Sequence, residues 1–222
     1  MTKARTQRFR IMIVDDHPLM RRGFSDAISE EPALEVCGEA SSAEEAWELL
    51  KSLHPAPDLM IVDLALPGMS GLDLLKKVTA SHDKVRMLVA SMHDETLFAE
   101  RCLRAGAMGY VSKAVAPEQM VEAIHHVLDG EVYLSPKMTR RLLRGVAGGQ
   151  QVGTSSIESL SDRELEVFSW IGRGMTTRAI AEKLHLSVKT IETYRENIKN
   201  KLGVRTSADL MRRAVQWVLE NG

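Results

Sequence analysis

The chain has 222 residues, a formal net charge of −1 and 44% hydrophobic residues, which is typical of a globular protein with one large or two modest domains. No segment approaches the roughly 18 consecutive apolar residues of a membrane span, and no signal-peptide core follows the N-terminus, so we expect a cytoplasmic protein without a membrane partner. Residues 1–130 contain 14 Lys/Arg and 20 Asp/Glu, whereas residues 131–222 contain 15 and 10. The basic surplus of the C-terminal part suits a nucleic-acid contact, although ordinary solvated surfaces also produce one.

Short apolar runs alternate with amphipathic stretches through the first 130 residues. The apolar runs predict five strands, at 9–14, 34–40, 58–66, 85–91 and 109–112. The amphipathic stretches predict five helices, at 19–30, 43–53, 71–80, 94–105 and 117–129. Because strands that are apolar on both faces belong to a parallel sheet covered by helices, we predict an α/β doubly wound domain with a five-stranded parallel sheet.

Polar side chains mark the carboxyl ends of four predicted strands. Asp15 and Asp16 follow the first strand in IMIVDDHP, and Asp63, Ser91 and Lys113 mark the ends of the third, fourth and fifth. A single aspartate at such a place is most simply a helix cap, but three carboxylates at one sheet edge repel one another unless a cation lies between them. Mg²⁺ suits these oxygen ligands, and a lysine and a hydroxyl can hold the other oxygens of a phosphoryl group. The residues therefore predict a site that places phosphate on a carboxylate.

The pattern changes after Gly130. The segment SPKMTRRLLRG predicts a short basic helix, and the Gly/Ser/Gln-rich segment 145–156 predicts a flexible linker. Four short helices are predicted beyond it, at 161–172, 176–184, 187–202 and 206–219. Their starts carry capping residues, namely Ser161 with Glu164, Ser187, and Thr206 with Asp209. We therefore divide the chain into a first domain at 1–130, a linker with a short helix at 131–156, and a small all-α four-helix domain at 157–222.

The first domain resembles the receiver domains of two-component response regulators over residues 9–130. The resemblance lies in VDDHP, in IVDLALPGMSGLDLL, in the strand that ends VAS, and in GAMGYVSKA. It implies a flavodoxin-like fold and makes Asp63 the phosphoacceptor, with a histidine kinase as the phosphoryl donor. It also implies Mg²⁺ as the cofactor, held by Asp15, Asp16, Asp63 and the backbone carbonyl of Ala65.

The same resemblance implies a conformational switch. Ser91 is the hydroxyl that moves to the new phosphoryl oxygens, Lys113 is the cation that contacts them, and Tyr110 is the aromatic residue that turns into the vacated space. The surface formed by the predicted helices at 94–105 and 117–129 then changes. Many receivers have Lys-Pro at the end of the fifth strand, whereas this chain has Lys-Ala, which leaves the conformation of the following loop open.

The layout of the C-terminal helices is typical of a helix-turn-helix, although a small bundle that binds protein has the same layout. Basic and hydroxyl residues on and beside the second and third of these helices favour DNA. Residues 160–214 resemble the LuxR-type helix-turn-helix through LSDRELEV, IAEKLHLSVKTI and NIKNKLGV. A receiver followed by this domain resembles a response regulator of the NarL/FixJ class.

Eight residues are the predicted DNA contacts. The basic and hydroxyl residues among them lie where phosphates can be reached, namely Ser187, Lys189, Thr190, Arg195 and Lys199. The resemblance matches Glu192, Thr193 and Glu196 to groove-facing positions. The recognition helix departs from the family pattern, because Glu192 and Tyr194 stand where many members have lysine and histidine. A carboxylate in the groove accepts from cytosine N4 but repels phosphates, so we expect Glu192 to read a base while cations attract the backbone. Alternatively, Glu192 and Glu196 pair with neighbours on their own helix, namely Arg195, Lys199 or Asn200.

A receiver joined to this DNA-binding domain implies a transcriptional regulator controlled by phosphorylation. We expect a homodimer when the chain is phosphorylated or DNA-bound, formed through apolar residues of the last helix and matched to paired half-sites in promoter DNA. We expect no enzyme activity beyond self-phosphorylation and autodephosphorylation. Two alternatives fit the sequence less well. One is a phosphotransferase that turns over a phosphoaspartate, which is disfavoured because the acceptor is expected on a separate strand from the Asp-Asp pair and no substrate cap domain is present. The other is a constitutive DNA-binding or adaptor protein with a non-switching receiver. The presence of a full acidic set with Ser91 and Lys113 disfavours the second.

Overall fold

The computed structural model describes residues 8–93, 95–147, 157 and 159–221. The chain forms two compact units, Met1–Ser135 and Pro136–Gly222. Within the described ranges, no helix combines the length and the apolar character that crossing a bilayer requires. Segment 148–156 of the predicted linker lies outside the described residues.

In the described part of the first unit, five strands alternate with five helices. The strands are β1 (Phe9–Val14), β2 (Leu34–Ala40), β3 (Leu59–Val62), β4 (Arg86–Ser91) and β5 (Gly109–Ser112). The helices are α1 (Pro18–Glu30), α2 (Ala43–Ser52), α3 (Gly71–Ser81), α4 (Glu95–Arg104) and α5 (Pro117–Leu128). The strands are parallel and run in the order β2-β1-β3-β4-β5, which confirms the predicted doubly wound five-stranded sheet.

The third strand is shorter than predicted. The apolar run 58–66 predicted a single strand, but the pairing of β3 with its neighbours ends at Val62. The chain bends after Asp63, and Leu64 and Leu66 are nevertheless buried. Because a buried loop carries the same apolar side chains as a buried strand, hydrophobicity alone overestimates the length of this strand.

Both faces of the sheet are covered. Ile11 and Ile13 of β1 belong to a hydrophobic core that includes side chains of α1 and α5. The alternate residues Met12 and Val14 are also fully buried, and they point to the opposite face because side chains alternate along a strand. The carboxyl ends of the strands therefore remain as the place where polar groups can meet a ligand.

After α5 the chain returns to the outer edge of the sheet, in an edge segment formed by residues 131–135. Tyr133 pairs with β5 as an isolated parallel bridge. Its carbonyl accepts from the Tyr110 N–H at 2.9 Å, and its own N–H donates at 3.0 Å to the carbonyl that precedes β5. The Ser135 N–H then donates to Oε1 of Glu95, the first residue of α4, at 2.8 Å. The edge segment thus connects β5 with the start of α4.

The described part of the second unit is helical, with α6 (Pro136–Ala147), α7 (Asp162–Gly172), α8 (Thr177–Lys183), α9 (Val188–Leu202) and α10 (Ser207–Asn221). Helix α6 corresponds to the predicted basic helix and α7 to α10 to the four predicted C-terminal helices. Every end lies within about two residues of the prediction, which is the ordinary uncertainty of a helix boundary.

The predicted caps are present at three helix starts. The Ser161 hydroxyl accepts from the Glu164 N–H and the Glu164 carboxylate accepts from the Ser161 N–H, which completes a capping box. Ser187 caps α9 by accepting from the backbone N–H three residues later. At α10, the Asp209 carboxylate accepts from the Thr206 hydroxyl at 2.7 Å, and the Asp209 N–H donates back to that hydroxyl at 3.1 Å. Aspartate is one methylene shorter than the glutamate of the capping box in α7. Both hydrogen bonds of this pair therefore involve the Thr206 hydroxyl.

Candidate functional site

Two aspartates meet in the interior at the carboxyl ends of β1 and β3. The Asp15 N–H donates to the carbonyl of the last residue of β2, and the Asp63 N–H donates to the carbonyl of Val14 at 2.9 Å. Backbone bonds of the sheet therefore fix both residues. Asp15 is 1% exposed and Asp63 is 2% exposed. Asp15 Oδ1 also accepts from the His17 N–H at 2.9 Å, which orders the start of the following loop.

Lys113 lies between these carboxylates. Its Nζ is 2.6 Å from Oδ2 of Asp15 and 2.7 Å from Oδ2 of Asp63, and its N–H donates to the Ser91 carbonyl at 3.0 Å. Burial raises the pKa of Asp63; the Lys113 ammonium lowers this pKa, the Asp15 carboxylate raises it again, and the net shift is upward. Burial lowers the pKa of Lys113, but the two carboxylates outweigh burial and the net shift is upward. With two buried carboxylates and one ammonium, the cluster favours a further cation.

The acidic groups form a set of potential cation ligands. Asp15, Asp16, His17 and Asp63 each offer one ligand atom, and these atoms all lie within 4.8 Å of one another. Oδ1 of Asp16 is 2.6 Å from Nδ1 of His17, whose ring is largely exposed. Three carboxylates fit the preference of Mg²⁺ for hard oxygen donors. The Ala65 N–H donates to Oδ1 of Asp63 at 3.3 Å, so the main chain of Ala65 lies beside the predicted acceptor.

The predicted switch residues are joined through the backbone of one residue that the sequence analysis did not assign. The Ser91 hydroxyl accepts from the His93 N–H at 3.1 Å, and the Tyr110 hydroxyl donates to the His93 carbonyl at 2.9 Å. All three residues are buried, and the His93 ring lies 4.6 Å from that of Phe98 in α4. Two hydrogen bonds to the backbone of His93 thus link Ser91 with Tyr110. Backbone bonds of this kind leave no residue-type signal in the sequence.

Helix α9 presents most of the predicted DNA-binding residues to solvent. Those exposed are Ser187, Lys189, Glu192, Thr193 and Glu196, and those partly buried are Thr190, Arg195 and Lys199. Ile191 and Ile198 are completely buried on the other face of the helix. The polar residues of α9 therefore lie on the face of the helix opposite these buried isoleucines.

Lys199 is less available than the sequence suggested. Its side chain is 15% exposed, and its Nζ lies 2.7 Å from Oε1 of Glu196, one turn earlier. The pairing along the helix that we considered as an alternative is therefore present for Glu196. Among the described residues, Glu192 has no partner of this kind, so its carboxylate is available for other contacts.

Both parts of the chain match known families. The family model for the response regulator receiver domain matches residues 11–125, and the model for bacterial regulatory proteins of the luxR family matches residues 158–214. The first match spans the acidic cluster and the predicted switch residues Ser91, Tyr110 and Lys113. The second spans α7, α8 and α9 and the first half of α10.

Curated and solved relatives extend this likeness to nearly the whole chain. The response regulator GacA of Pseudomonas aeruginosa is 33% identical over 207 residues, which cover 93% of this chain and 95% of GacA. The oxygen regulatory protein NreC of Staphylococcus carnosus is 34% identical over 212 residues, covering 93% and 97%. A structure of RcsB from Salmonella enterica serovar Typhimurium, bound to promoter P1flhDC in the presence of the phosphomimetic BeF3−, is 26% identical with a TM-score of 0.62, covering 94% of this chain and 98% of RcsB. The chain therefore belongs to the two-component response regulators of the NarL/FixJ class, transcription regulators that join a receiver to a LuxR-type DNA-binding domain.

Proposed function

We propose that phosphorylation of Asp63 controls dimerisation and DNA binding in this regulator. The observation that carries the proposal is the buried cluster in which Asp63 shares the Lys113 ammonium with Asp15. Asp63 thus has a fixed cation at one oxygen, and Asp15, Asp16 and the main chain of Ala65 are nearby to hold Mg²⁺. Bound Mg²⁺ would neutralise charge on the phosphoryl oxygens.

The transfer itself exchanges one bond to phosphorus for another. A carboxylate oxygen of Asp63 bonds to phosphorus while the bond from phosphorus to an imidazole nitrogen of the kinase's phosphohistidine breaks, and that nitrogen keeps the electron pair. Lys113 moves its ammonium onto a phosphoryl oxygen, because the transferred group carries more negative charge than the carboxylate. In autodephosphorylation, water attacks phosphorus and the bond from phosphorus to the Asp63 oxygen breaks. Inorganic phosphate is released and Asp63 becomes a free carboxylate again.

The change at Asp63 reaches the surface through Ser91, His93 and Tyr110. When the Ser91 hydroxyl turns to donate to a phosphoryl oxygen, it no longer accepts from the His93 N–H. The backbone of His93 then shifts, and the bond from the Tyr110 hydroxyl to the His93 carbonyl is weakened. Tyr110, which is already buried in this structure, can then move into the space that Ser91 leaves, and the surface of α4 and α5 changes with it.

DNA recognition is assigned to the exposed face of α9, with Glu192 reading a base and Lys189 attracting the phosphate backbone. Dimerisation is assigned to α10, because Met211, Val215 and Leu219 are exposed and spaced four residues apart. Such a stripe covers one side of a helix and is suited to pairing with the same helix of a second chain.

The first experiment measures the intact mass of the chain after incubation with Mg²⁺ and acetyl phosphate, together with DNA binding of the same samples. We expect a phosphoryl-sized gain that is lost in Asp63→Asn and that accompanies tighter DNA binding or dimerisation. Equal DNA affinity with and without the added phosphoryl group would favour the constitutive alternative.

Base readout by Glu192 is tested by selection from a randomised DNA library. The native chain should prefer a cytosine/guanine pair at one position of each half-site, and Glu192→Ala should lose that preference while other positions keep theirs. An unchanged preference would remove Glu192 from base readout.

Dimerisation through α10 is tested by Val215→Glu. This substitution should reduce the sedimentation coefficient of the chain on paired half-sites to that of single occupancy, and unchanged double occupancy would contradict the role of α10.

A further inference from the structure

The loop between β3 and α3 leads from the acceptor aspartate to the next helix, and both of its ends are fixed. At its start, Asp63 is bonded to the sheet. At its end, the Gly71 N–H donates to the Leu64 carbonyl at 3.1 Å, and a Cβ on Gly71 would lie only 1.9 Å from the carbonyl oxygen of Asp63. Helix α3 therefore begins in direct contact with the backbone of Asp63. Leu64 and Leu66 are buried, whereas Gly68, later in the loop, is exposed.

The middle of the loop is held by Glu44, a residue of the first turn of α2. Oε1 of Glu44 accepts from the Met69 N–H at 2.8 Å. Gly68 has φ of +69° and lies so close to this carboxylate that a Cβ there would be 2.6 Å from the same oxygen. The two helical alanines beside Glu44, Ala43 and Ala46, are completely buried, so α2 is a firm support for this contact.

We infer that Glu44 is a positioning residue for the cation site. Its carboxylate ties the loop to α2 and thereby keeps the main chain of Ala65 beside Asp63, where the carbonyl of Ala65 can serve as a cation ligand. This inference rests on the proposed function, in which that carbonyl binds Mg²⁺. Without the bond, the loop samples conformations that lack this ligand, and the apparent affinity falls in proportion to the fraction of molecules that retain it.

A negative charge on α2 also attracts a cation from a distance, so the test must separate the hydrogen bond from the charge. Glu44→Gln keeps an acceptor oxygen at the same reach and removes the charge, whereas Glu44→Ala removes both. Glu48→Ala is the matched control, because Glu48 lies one turn later on the same helix and, within the described part of the chain, pairs with Lys51 alone, at 2.7 Å in solvent.

The experiment titrates Mg²⁺ into the full chain by isothermal calorimetry and measures exchange of the Met69 amide by NMR. We expect Glu44→Ala to speed Met69 exchange about fivefold, which is the effect of losing one hydrogen bond of about 1 kcal/mol. Mg²⁺ binding should weaken by up to the same factor, which is reached when the loop is mostly displaced without the bond. Glu44→Gln and Glu48→Ala should bind Mg²⁺ within about a factor of two of the native chain, because one keeps the acceptor and the other never held the loop.

The outcomes distinguish this inference from the proposed function. Native affinity in Glu44→Ala would overturn the positioning role while leaving the Mg²⁺ site intact. Equal weakening in Glu44→Gln and Glu44→Ala would assign the effect to charge and overturn the role of the bond. A native chain that binds no Mg²⁺ would overturn the cation site itself and the inference with it. Thermal unfolding midpoints of all variants within a few degrees of native show that each result reports on the loop rather than on the fold.

Discussion

Replacing Lys113 by methionine should destabilise the first unit, by an amount that depends on pH. Methionine keeps most of the side-chain volume but leaves Asp15 and Asp63 buried without the ammonium that both contact. Removing one partner of a buried ion pair commonly costs about 3–5 kcal/mol. The loss of stability has an upper limit, because one buried carboxyl can bind a proton instead of staying charged. An aspartate with its ordinary pKa of about 4 lies about three units below pH 7, so protonating it at pH 7 costs about 4 kcal/mol, at 1.36 kcal/mol per unit.

The sign of the pH dependence follows from the same upper limit. In the variant, the folded-state pKa of one carboxyl lies far above its value in the unfolded chain, so stability is retained at acidic pH and is lost as the pH rises towards the folded-state pKa. The native chain shows less of this effect, because Lys113 lowers the pKa of Asp63. We therefore expect a deficit of about 4 kcal/mol at pH 7 that shrinks by about 1.4 kcal/mol per unit to about 1.5 kcal/mol at pH 5.

Hydrogen exchange of the buried amides of β1 and β3 measures this deficit in the first unit alone. Comparing variant and native chains at the same pH cancels the intrinsic exchange rates. Lys51→Met is the matched control, since Lys51 also has a carboxylate at 2.7 Å but in solvent, and it should change stability by less than about 1 kcal/mol. Excess Mg²⁺ should recover part of the loss in Lys113→Met. A deficit that is small and the same at pH 5 and pH 7 would refute the reasoning.

Four further substitutions test other parts of the structure. Gly71→Ala forces a Cβ against the backbone and should lower the free energy of unfolding by about 3 kcal/mol. Gly23→Ala, in open space on α1, should raise it by about 0.5 kcal/mol. Thermal melts that do not rank Gly71→Ala below the native chain and Gly23→Ala above it would contradict this reasoning. Burial raises the pKa of Glu164, but its ammonium partner and helix cap outweigh burial and lower it. Its stabilisation of about 1 kcal/mol, measured against Glu164→Gln by tryptophan fluorescence, should therefore persist above its ordinary pKa of 4.5 and disappear as the pH falls through the lowered value. Glu196→Gln frees Lys199 and should strengthen nonspecific DNA binding about threefold at low salt by anisotropy, with a steeper salt dependence; an unchanged affinity would count against a DNA contact by Lys199.

The hydrophobic periodicity of the sequence predicted the strands and helices of both units well, because each element buries a continuous apolar face. Strand and helix types are right throughout the described residues, and three helix starts were identifiable from Ser161, Ser187 and Thr206. The apolar run through β3 was misleading beyond Val62, since Leu64 and Leu66 of the following loop are buried as deeply as the residues of the strand. Burial in a loop has no period, and only pairing in three dimensions marks where such a strand ends.

The residue types of the site were predictable, but the bonds between them were not. Carboxylates and a lysine at strand ends converge because parallel strands end at one edge. The link from Ser91 to Tyr110 passes through backbone atoms of His93, and any residue type offers those atoms. The contact of Glu44 with the Met69 N–H joins residues 25 positions apart in the sequence. From the sequence alone, an exposed glutamate near a helix start is explained by its favourable interaction with the helix dipole, so nothing indicates a contact with a distant loop.

The edge segment also protects the sheet from other molecules. An outermost strand with unpaired N–H and carbonyl groups is a template for pairing with a second chain. Tyr133 occupies these groups beside β5, since it accepts from the Tyr110 N–H and donates to the carbonyl ahead of the strand. A shortened protein that stops at residue 130 would bare this edge and invite aggregation, whereas one that stops after Ser135 would keep it covered. The choice of where to cut the chain for isolated studies of the first unit thus follows from two backbone hydrogen bonds.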